Sequence, residues 1–156
     1  MLGLYVNINP IMIKEYSEDL ELLVVEIAIN NLKIRVVSGY GPQENWYENK
    51  RLPFFEALAS EVELEARSVI MCMDANSKLG PSYVKGDPHW QSRNSKLMAD
   101  VLDQHALIVP NGFQEKCRGL FTRKKHTVNW SEQSVINFVV LRSDLMKHVE
   151  SIHIDD

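Results

Sequence analysis

Val69-Ile70-Met71-Cys72-Met73-Asp74-Ala75-Asn76 is an unbroken apolar run that ends in two polar residues spaced two apart. A run without polar alternation predicts a strand buried on both faces in the middle of a sheet. Side chains of an extended chain alternate sides, so Asp74 and Asn76 are expected to project together from the strand's end. A carboxylate so placed can orient or deprotonate an attacking water, and a neighbouring amide can donate to a non-bridging phosphate oxygen. The same pair also fits a turn in which Asp and Asn bond their own backbone.

Upstream, residues 4–8, Leu22–Ile29 and Leu32–Tyr40 read as strands rich in β-branched residues. Asn30-Asn31 lies between two of these runs, and asparagine tolerates positive φ, which predicts a hairpin and an antiparallel start to the sheet. Gly39, Gly41 and Pro42 end the third strand. Leu52, Phe55, Leu58, Ala59, Val62 and Ala66 then recur at three- and four-residue intervals, which predicts an amphipathic helix over 51–67. Downstream comes a polar loop over 77–93, then a helix over 94–104 carrying Leu97, Met98, Val101 and Leu102, with Asn94 or Ser95 as its cap. Further strands are expected at 107–109, 120–122, 134–141 and 149–154. There is no internal repeat, low-complexity tract or linker, so residues 1–156 read as one domain of α+β type, layered rather than a regular βαβ series.

At 156 residues, 45% hydrophobic and 24% charged, the chain has the balance of one ordinary domain with a sizeable core. No apolar run approaches the roughly 18 residues of a membrane span, and the first residues lack a signal-peptide pattern, so an intracellular protein with no membrane partner is expected. Cys72 and Cys117 form neither a disulfide framework nor a Cys-x-x-Cys pair, and are expected to be reduced and packed. The formal charge of −4 does not favour a general nucleic-acid surface. A local cluster, Arg118, Arg123, Lys124, Lys125 and His126, reads either as a contact for a phosphate backbone or as a solvated loop.

Two more strand ends carry polar groups. Ser38-Gly39-Tyr40-Gly41-Pro42 offers a phenol that can bond a phosphate or carboxylate. Ser134-Val135-Ile136-Asn137-Phe138 places Asn137 on the side of a strand opposite Ser134, Ile136 and Phe138. The order of these elements is Tyr-x-Pro, a helix, the apolar run with Asp-x-Asn, a second helix, Thr122-Arg123, then Ser-x-Ile-x-Phe. It resembles the endonuclease/exonuclease/phosphatase superfamily, whose motifs read approximately Asn-x-Tyr-x-Pro, Gly-Asp-Phe-Asn, a Thr with a nearby basic residue, and Ser-x-Ile-Asp-Tyr or Phe. The resemblance runs from about Gly3 to the last residue. Leu-Leu-Val-Val-Glu-Ile at 22–27, and Asn111-Gly112 ahead of the Thr-Arg element, look closest to endonucleases of non-LTR retrotransposons, which accompany a reverse transcriptase.

That resemblance implies a layered α/β/β/α sandwich, here a partial domain, and a metal-dependent DNA endonuclease that usually uses Mg²⁺. It implies that Tyr40 contacts the scissile phosphate region, that Asp74 aligns the nucleophilic water, and that Asn76 helps to hold the phosphate. Asn137 stands at a catalytic position, and Thr122 and Arg123, with Lys124 and Lys125, belong to a nucleic-acid-contacting rim.

The chain also departs from the pattern: Ser38 replaces the usual Asn, Met73 the Gly, Ala75 the Phe and Asn137 the Asp. In the family that Asp pairs with a catalytic histidine, and an amide orients an imidazole without neutralising its cation. The family's metal-binding Glu lies upstream of anything here, and the sequence stops at Ile154-Asp155-Asp156, ahead of the family's Ser-Asp-His. His148 and His153 come too early to supply that histidine, and Glu15, Glu18, Asp19, Glu21 and Glu26 fit no metal-ligand motif. The expectations are a weak or absent Mg²⁺ site, no metal ligand to name, and weak or no cleavage. The alternative is a non-catalytic module that binds nucleic acid or protein, self-associating through exposed sheet edges.

Overall fold

The computed structural model describes residues 12–15, 20–29, 32–63, 68–87, 91–113, 115–119, 122–126 and 131–154. Its largest element is a six-stranded mixed sheet in the order β1 (Met12–Glu15), β2 (Leu22–Ile29), β3 (Leu32–Tyr40), β4 (Ser68–Asp74), β9 (Asn137–Arg142), β5 (Leu107–Ile108). Two helices, α1 (Glu48–Glu63) and α2 (Arg93–Gln104), flank β4 in sequence. Two two-stranded ribbons complete the α+β fold: β6 (Cys117–Arg118) with β10 (Ile152–His153), and β7 (Arg123–His126) with β8 (Ser131–Ser134).

The apolar run at 69–73 becomes β4, an interior strand parallel to β3 and antiparallel to β9. Parallel neighbours need a crossover, and α1 supplies it. Strand registers stack the buried rows Leu22–Gly39–Met73–Phe138 and Val24–Val37–Met71–Val140 across four strands. Phe54 and Leu58 of α1 and Met98 and Leu102 of α2 join these residues in one core. A Cβ built on Gly39 would stand 2.9 Å from Leu22 Cδ2 and 3.4 Å from the Phe54 ring, so a larger residue there would push the end of the Leu22 side chain aside.

The expectation of a strand buried on both faces needs correction. Val69, Met71 and Met73 are buried, whereas Ile70, Cys72 and Asp74 are only half-buried, because the helices pack on the other side of the sheet. Burial also raises the pKa of the Cys72 and Cys117 thiols above the ordinary value of 9.0, and both are free.

Several element boundaries differ from the sequence reading. Helix α1 begins one turn early, where the Tyr47 carbonyl accepts the N–H groups of Lys50 and Arg51, and Pro53 sits inside it. Helix α2 is capped by Ser92, not by Asn94 or Ser95: the Ser95 hydroxyl accepts the Ser92 N–H at 2.9 Å. The strand expected over 134–141 is two strands, since the chain leaves the ribbon after Ser134 and enters the sheet at Asn137. The basic stretch is strand β7 rather than a loop. Residues 143–148 form a 3₁₀ segment, and strand β10 keeps only Ile152–His153 of the span 149–154. The strand expected at 4–8, the Asn30-Asn31 connection, positions 64–67, and 120–121 of the strand expected at 120–122 lie outside the described residues. Strands β2 and β3 nevertheless pair antiparallel in full register, from Leu22↔Gly39 to Ile29↔Leu32. No described helix is long and apolar enough to cross a membrane.

Away from the strand tips, Arg35 is 2% exposed and lies between two carboxylates. Its guanidinium donates to Glu61 of α1 at 2.7 Å and to Glu26 of the neighbouring strand at 3.2 Å, and also to the Glu61 carbonyl. A guanidinium fork can serve two carboxylates at once, which is how this sheet buries ionised groups beneath a helix. Removing one partner from such a group strands charge in the core. Arg35→Leu is therefore expected to lower unfolding free energy by about 3–5 kcal/mol, read from urea denaturation at neutral pH. A loss below about 1 kcal/mol would refute that role for the guanidinium.

Candidate active site

Three strand ends converge at one edge of the fold. In the parallel β3–β4 register Tyr40 faces Asp74, and in the antiparallel β4–β9 register Asp74 faces Asn137. Tyr40, Asp74 and Asn137 thus form one row of adjacent rungs, on the side of the sheet away from the helices.

Main-chain bonds continue this register past the strand tips. The Gly41 N–H donates to the Asp74 carbonyl at 2.6 Å, and the Ala75 N–H to the Ile136 carbonyl at 2.9 Å. Gly41 and Ala75 come so close that a Cβ on Gly41 would sit 2.5 Å from the Ala75 carbonyl oxygen. Only glycine fits that approach. Ala75, where the family motif carries Phe, is fully buried beneath it.

Asn76 does not simply extend the strand, which corrects the alternation expected from the sequence. It takes φ +43°, a left-handed conformation that asparagine tolerates, and its N–H donates to Asp74 Oδ1 at 3.0 Å. The turn and the shared polar site are therefore both present. The Asn76 side chain donates to the Gly41 carbonyl at 2.7 Å, which commits one of its two amide hydrogens to joining the two loops.

Thr122 approaches from the opposite side, its hydroxyl oxygen accepting the N–H groups of Ile136 and Asn137, each at 3.0 Å. That grip fixes the loop ahead of β9. Asn111 holds the far side of the same strand: its Nδ2 donates to the Asn137 carbonyl at 3.1 Å and its Oδ1 accepts the Val139 N–H at 3.0 Å.

The outcome is a cleft of about 600 Å³ whose walls include Tyr40, Asp74, Asn76, Thr122, Arg123 and Asn137. Six of the eight residues singled out from the sequence thus meet in one place. The other two, Lys124 and Lys125, follow Arg123 along β7, in register with Gln133 and Glu132, and the described lining stops at Arg123.

Glu44 is a wall residue that sequence reading missed. Its carboxylate accepts the Arg93 N–H at 3.0 Å and the Asn94 N–H at 2.9 Å, capping α2 from 49 residues upstream. A helix N-terminus favours an anion, and here a side chain fills that position. Asn94, one residue further on, is buried and donates to the carbonyls of Pro42 at 2.6 Å and Asn76 at 3.1 Å, so α2 also braces the cleft floor. No local pattern in the sequence signals either contact, because each joins segments about 20 to 50 residues apart.

Burial raises the pKa of Asp74 above its ordinary 3.8, opposed by the hydrogen bond from the Asn76 N–H and by the charge of Arg123. Asn137 Oδ1 has no hydrogen-bond partner. Among the described residues, the donors at this cleft do not fit a protein-held Mg²⁺, which seeks near-octahedral oxygen ligation. Asp74 already accepts a hydrogen bond on Oδ1, both Glu44 oxygens serve α2, and Arg123 adds positive charge. Among the described residues no three His, Cys, Asp or Glu side chains are grouped as a metal site would need.

No family model and no curated protein sequence matches the chain. Solved structures do match it. The endonuclease domain of TRAS1, a telomere-specific non-LTR retrotransposon, superposes with a TM-score of 0.60 at 16% identity, over 87% of this chain and 57% of that one. An endonuclease/exonuclease/phosphatase family protein from Leptotrichia buccalis gives 0.53 at 14%, over 78% of this chain and 42% of its own. TDP2 from D. rerio, complexed with a single-strand DNA product, gives 0.50 at 16%, over 78% and 46%. The fold is that of the endonuclease/exonuclease/phosphatase proteins, and the chain spans about half the length of these neighbours.

Two outcomes follow from the geometry. Gly41→Ala is expected to force the tips of β3 and β4 apart and cost on the order of 1–3 kcal/mol in urea unfolding, and an unchanged midpoint would contradict the close approach. Asp74→Asn tests the half-buried charge. Because folded Asp74 holds its proton to higher pH than the unfolded chain does, its contribution to stability is full below the ordinary value of 3.8 and is lost as pH rises through the raised value. The Tm of the variant, relative to the parent, should therefore rise as pH is taken from acid to neutral. A relative Tm that falls over that range would refute the sign.

Proposed function

We propose that the cleft is the phosphodiester-contacting part of an endonuclease-type active site of the endonuclease/exonuclease/phosphatase family, and that a chain of these residues holds the DNA backbone while cutting it weakly or not at all. The observation that carries this reading is the meeting of Tyr40, Asp74, Asn76, Thr122, Arg123 and Asn137 around one cleft. The retrotransposon endonuclease among the structural neighbours supports the choice of DNA as the ligand.

Each wall residue has a part in that reading. The Tyr40 phenol, 47% exposed, donates to a non-bridging phosphate oxygen. Arg123 supplies charge and a fork of donors, and Asn76 gives its second amide hydrogen. Asp74 keeps Oδ2 to orient a water. Turnover is weak for reasons of charge. A phosphodiester in attack gains negative charge, which strong catalysts meet with preorganised cations and a proton relay. Here Asn137 cannot neutralise an imidazolium, and the remaining acids near the cleft are engaged or single.

The second reading, a non-catalytic module that pairs with another chain, rests on the outermost described strands of the large sheet, β1 and β5. A strictly monomeric mass at high concentration would exclude self-association at those edges.

The main test uses the purified chain. Fluorescence anisotropy with short DNA should give binding that weakens steadily with salt, and Arg123→Ala should reduce the slope of log K against log salt by about 1. Nicked, abasic and supercoiled DNA should remain essentially uncut with either Mg²⁺ or Mn²⁺. Cleavage abolished by Asp74→Ala would overturn the weak-turnover part, and binding without a salt slope would overturn the DNA contact itself.

A further inference from the structure

Beside the cleft lies a second cavity of about 550 Å³, walled by Tyr40, Pro42, Trp46, Pro53 and Phe54, with Glu21 and Lys50 at its polar positions. We propose that this cavity takes one unstacked nucleobase of the DNA strand whose phosphate occupies the neighbouring cleft. The inference rests on the reading of that cleft and adds a base subsite to it.

Continuity is the first argument. Tyr40 lines both cavities, so a group seated in one lies next to a phosphate seated in the other. Phosphates alternate with nucleosides along a strand, which makes the adjoining group a nucleoside.

Chemistry is the second. Trp46 is 41% exposed although it is among the residues that gain most from burial. Its position is set by a turn in which its N–H donates to the Gln43 carbonyl at 3.0 Å, directly ahead of α1. The Lys50 ammonium lies 5.8 Å from the centre of the Trp46 indole ring. An exposed aromatic with a cation beside it is the surface on which bases stack in single-strand binders, because every base presents a π-face.

Charge is the third. The Glu21 carboxylate offsets the Lys50 ammonium, which leaves this cavity without a net attraction for phosphate, and it accepts hydrogen bonds from the amino groups of bases. Glu21 is held there by its own backbone, whose φ is +43° and whose carbonyl accepts the Tyr40 N–H at 3.1 Å. The two cavities therefore differ in lining: a polar, amide-rich one that holds Arg123 and Lys78 beside Asp74 and Glu44, and an aromatic one with Glu21 and Lys50 at its polar positions.

The test compares the full chain with Trp46→Ala and Trp46→Phe, titrating a short single-stranded deoxyoligonucleotide and the same backbone with tetrahydrofuran in place of each base. For the base-bearing strand, Trp46→Ala should weaken binding about tenfold, and Trp46→Phe should restore most of it, since a second aromatic face can take the same stacked base. Affinity for the abasic strand should be the same for all three proteins, and the salt slope should not move because no phosphate contact is lost. Equal loss on both strands, or no loss on either, overturns the base subsite while leaving the cleft reading intact. Absence of salt-dependent binding by the unsubstituted chain overturns both.

Discussion

The close backbone approach between Gly41 and Ala75 is the constraint on which the rest of this structure turns. It joins the tips of β3 and β4 through the Gly41 N–H and Asp74 carbonyl. Without it Tyr40 and Asp74 would still share a register, but the loops beyond them would diverge and the cleft would lose its floor. Asn76 reinforces the joint with its side chain, and Asn94 reaches the same loops from α2. One glycine and two asparagines thus do what a disulfide or metal does elsewhere: they hold separate loops at a fixed spacing, using hydrogen bonds that main-chain carbonyls require in any case.

Much of the site was legible in the sequence because it sits at strand ends, where an apolar run passes abruptly into polar residues. The stretch 69–76 marked both the central strand and the cleft, and Tyr40-Gly41-Pro42 marked the strand paired with it. Neither stretch reveals the pairing by itself; the order of the motifs did. Glu44 was not legible, since an acid in a polar loop has no local signature and its helix lies 49 residues away. The ribbon of β7 and β8 escaped notice for a related reason. Its residues, Arg-Lys-Lys-His and Ser-Glu-Gln-Ser, carry little of the β-branched and aromatic composition by which strands are recognised, so cross-strand pairing decides their conformation. The half-buried outer side of β4 was misread because a continuous apolar run fits one-sided as well as two-sided burial.

Electrostatics in this fold are divided between two places. Far from the cleft, Arg35 is enclosed with Glu26 and Glu61, where charge serves cohesion between sheet and helix. At the cleft, Asp74 is only half-buried, with Arg123 acting on it through space. The first arrangement is closed to solvent. The second is open to solvent on one side, the condition under which an ionisable group remains available to an incoming ligand.

Because Tyr40, Asp74 and Asn137 occupy successive rungs held by main-chain bonds, their side chains can be exchanged while the ladder keeps its geometry. An acid introduced at position 137 would stand one inter-strand step from Asp74, with Cα atoms about 5 Å apart. Two carboxyls at such a spacing compete for one proton, so a single substitution would convert this row from a lone acid into a proton-sharing dyad. A ladder of this kind separates the shape of a cleft from its reactivity, and lets the second be lost or regained while the first persists.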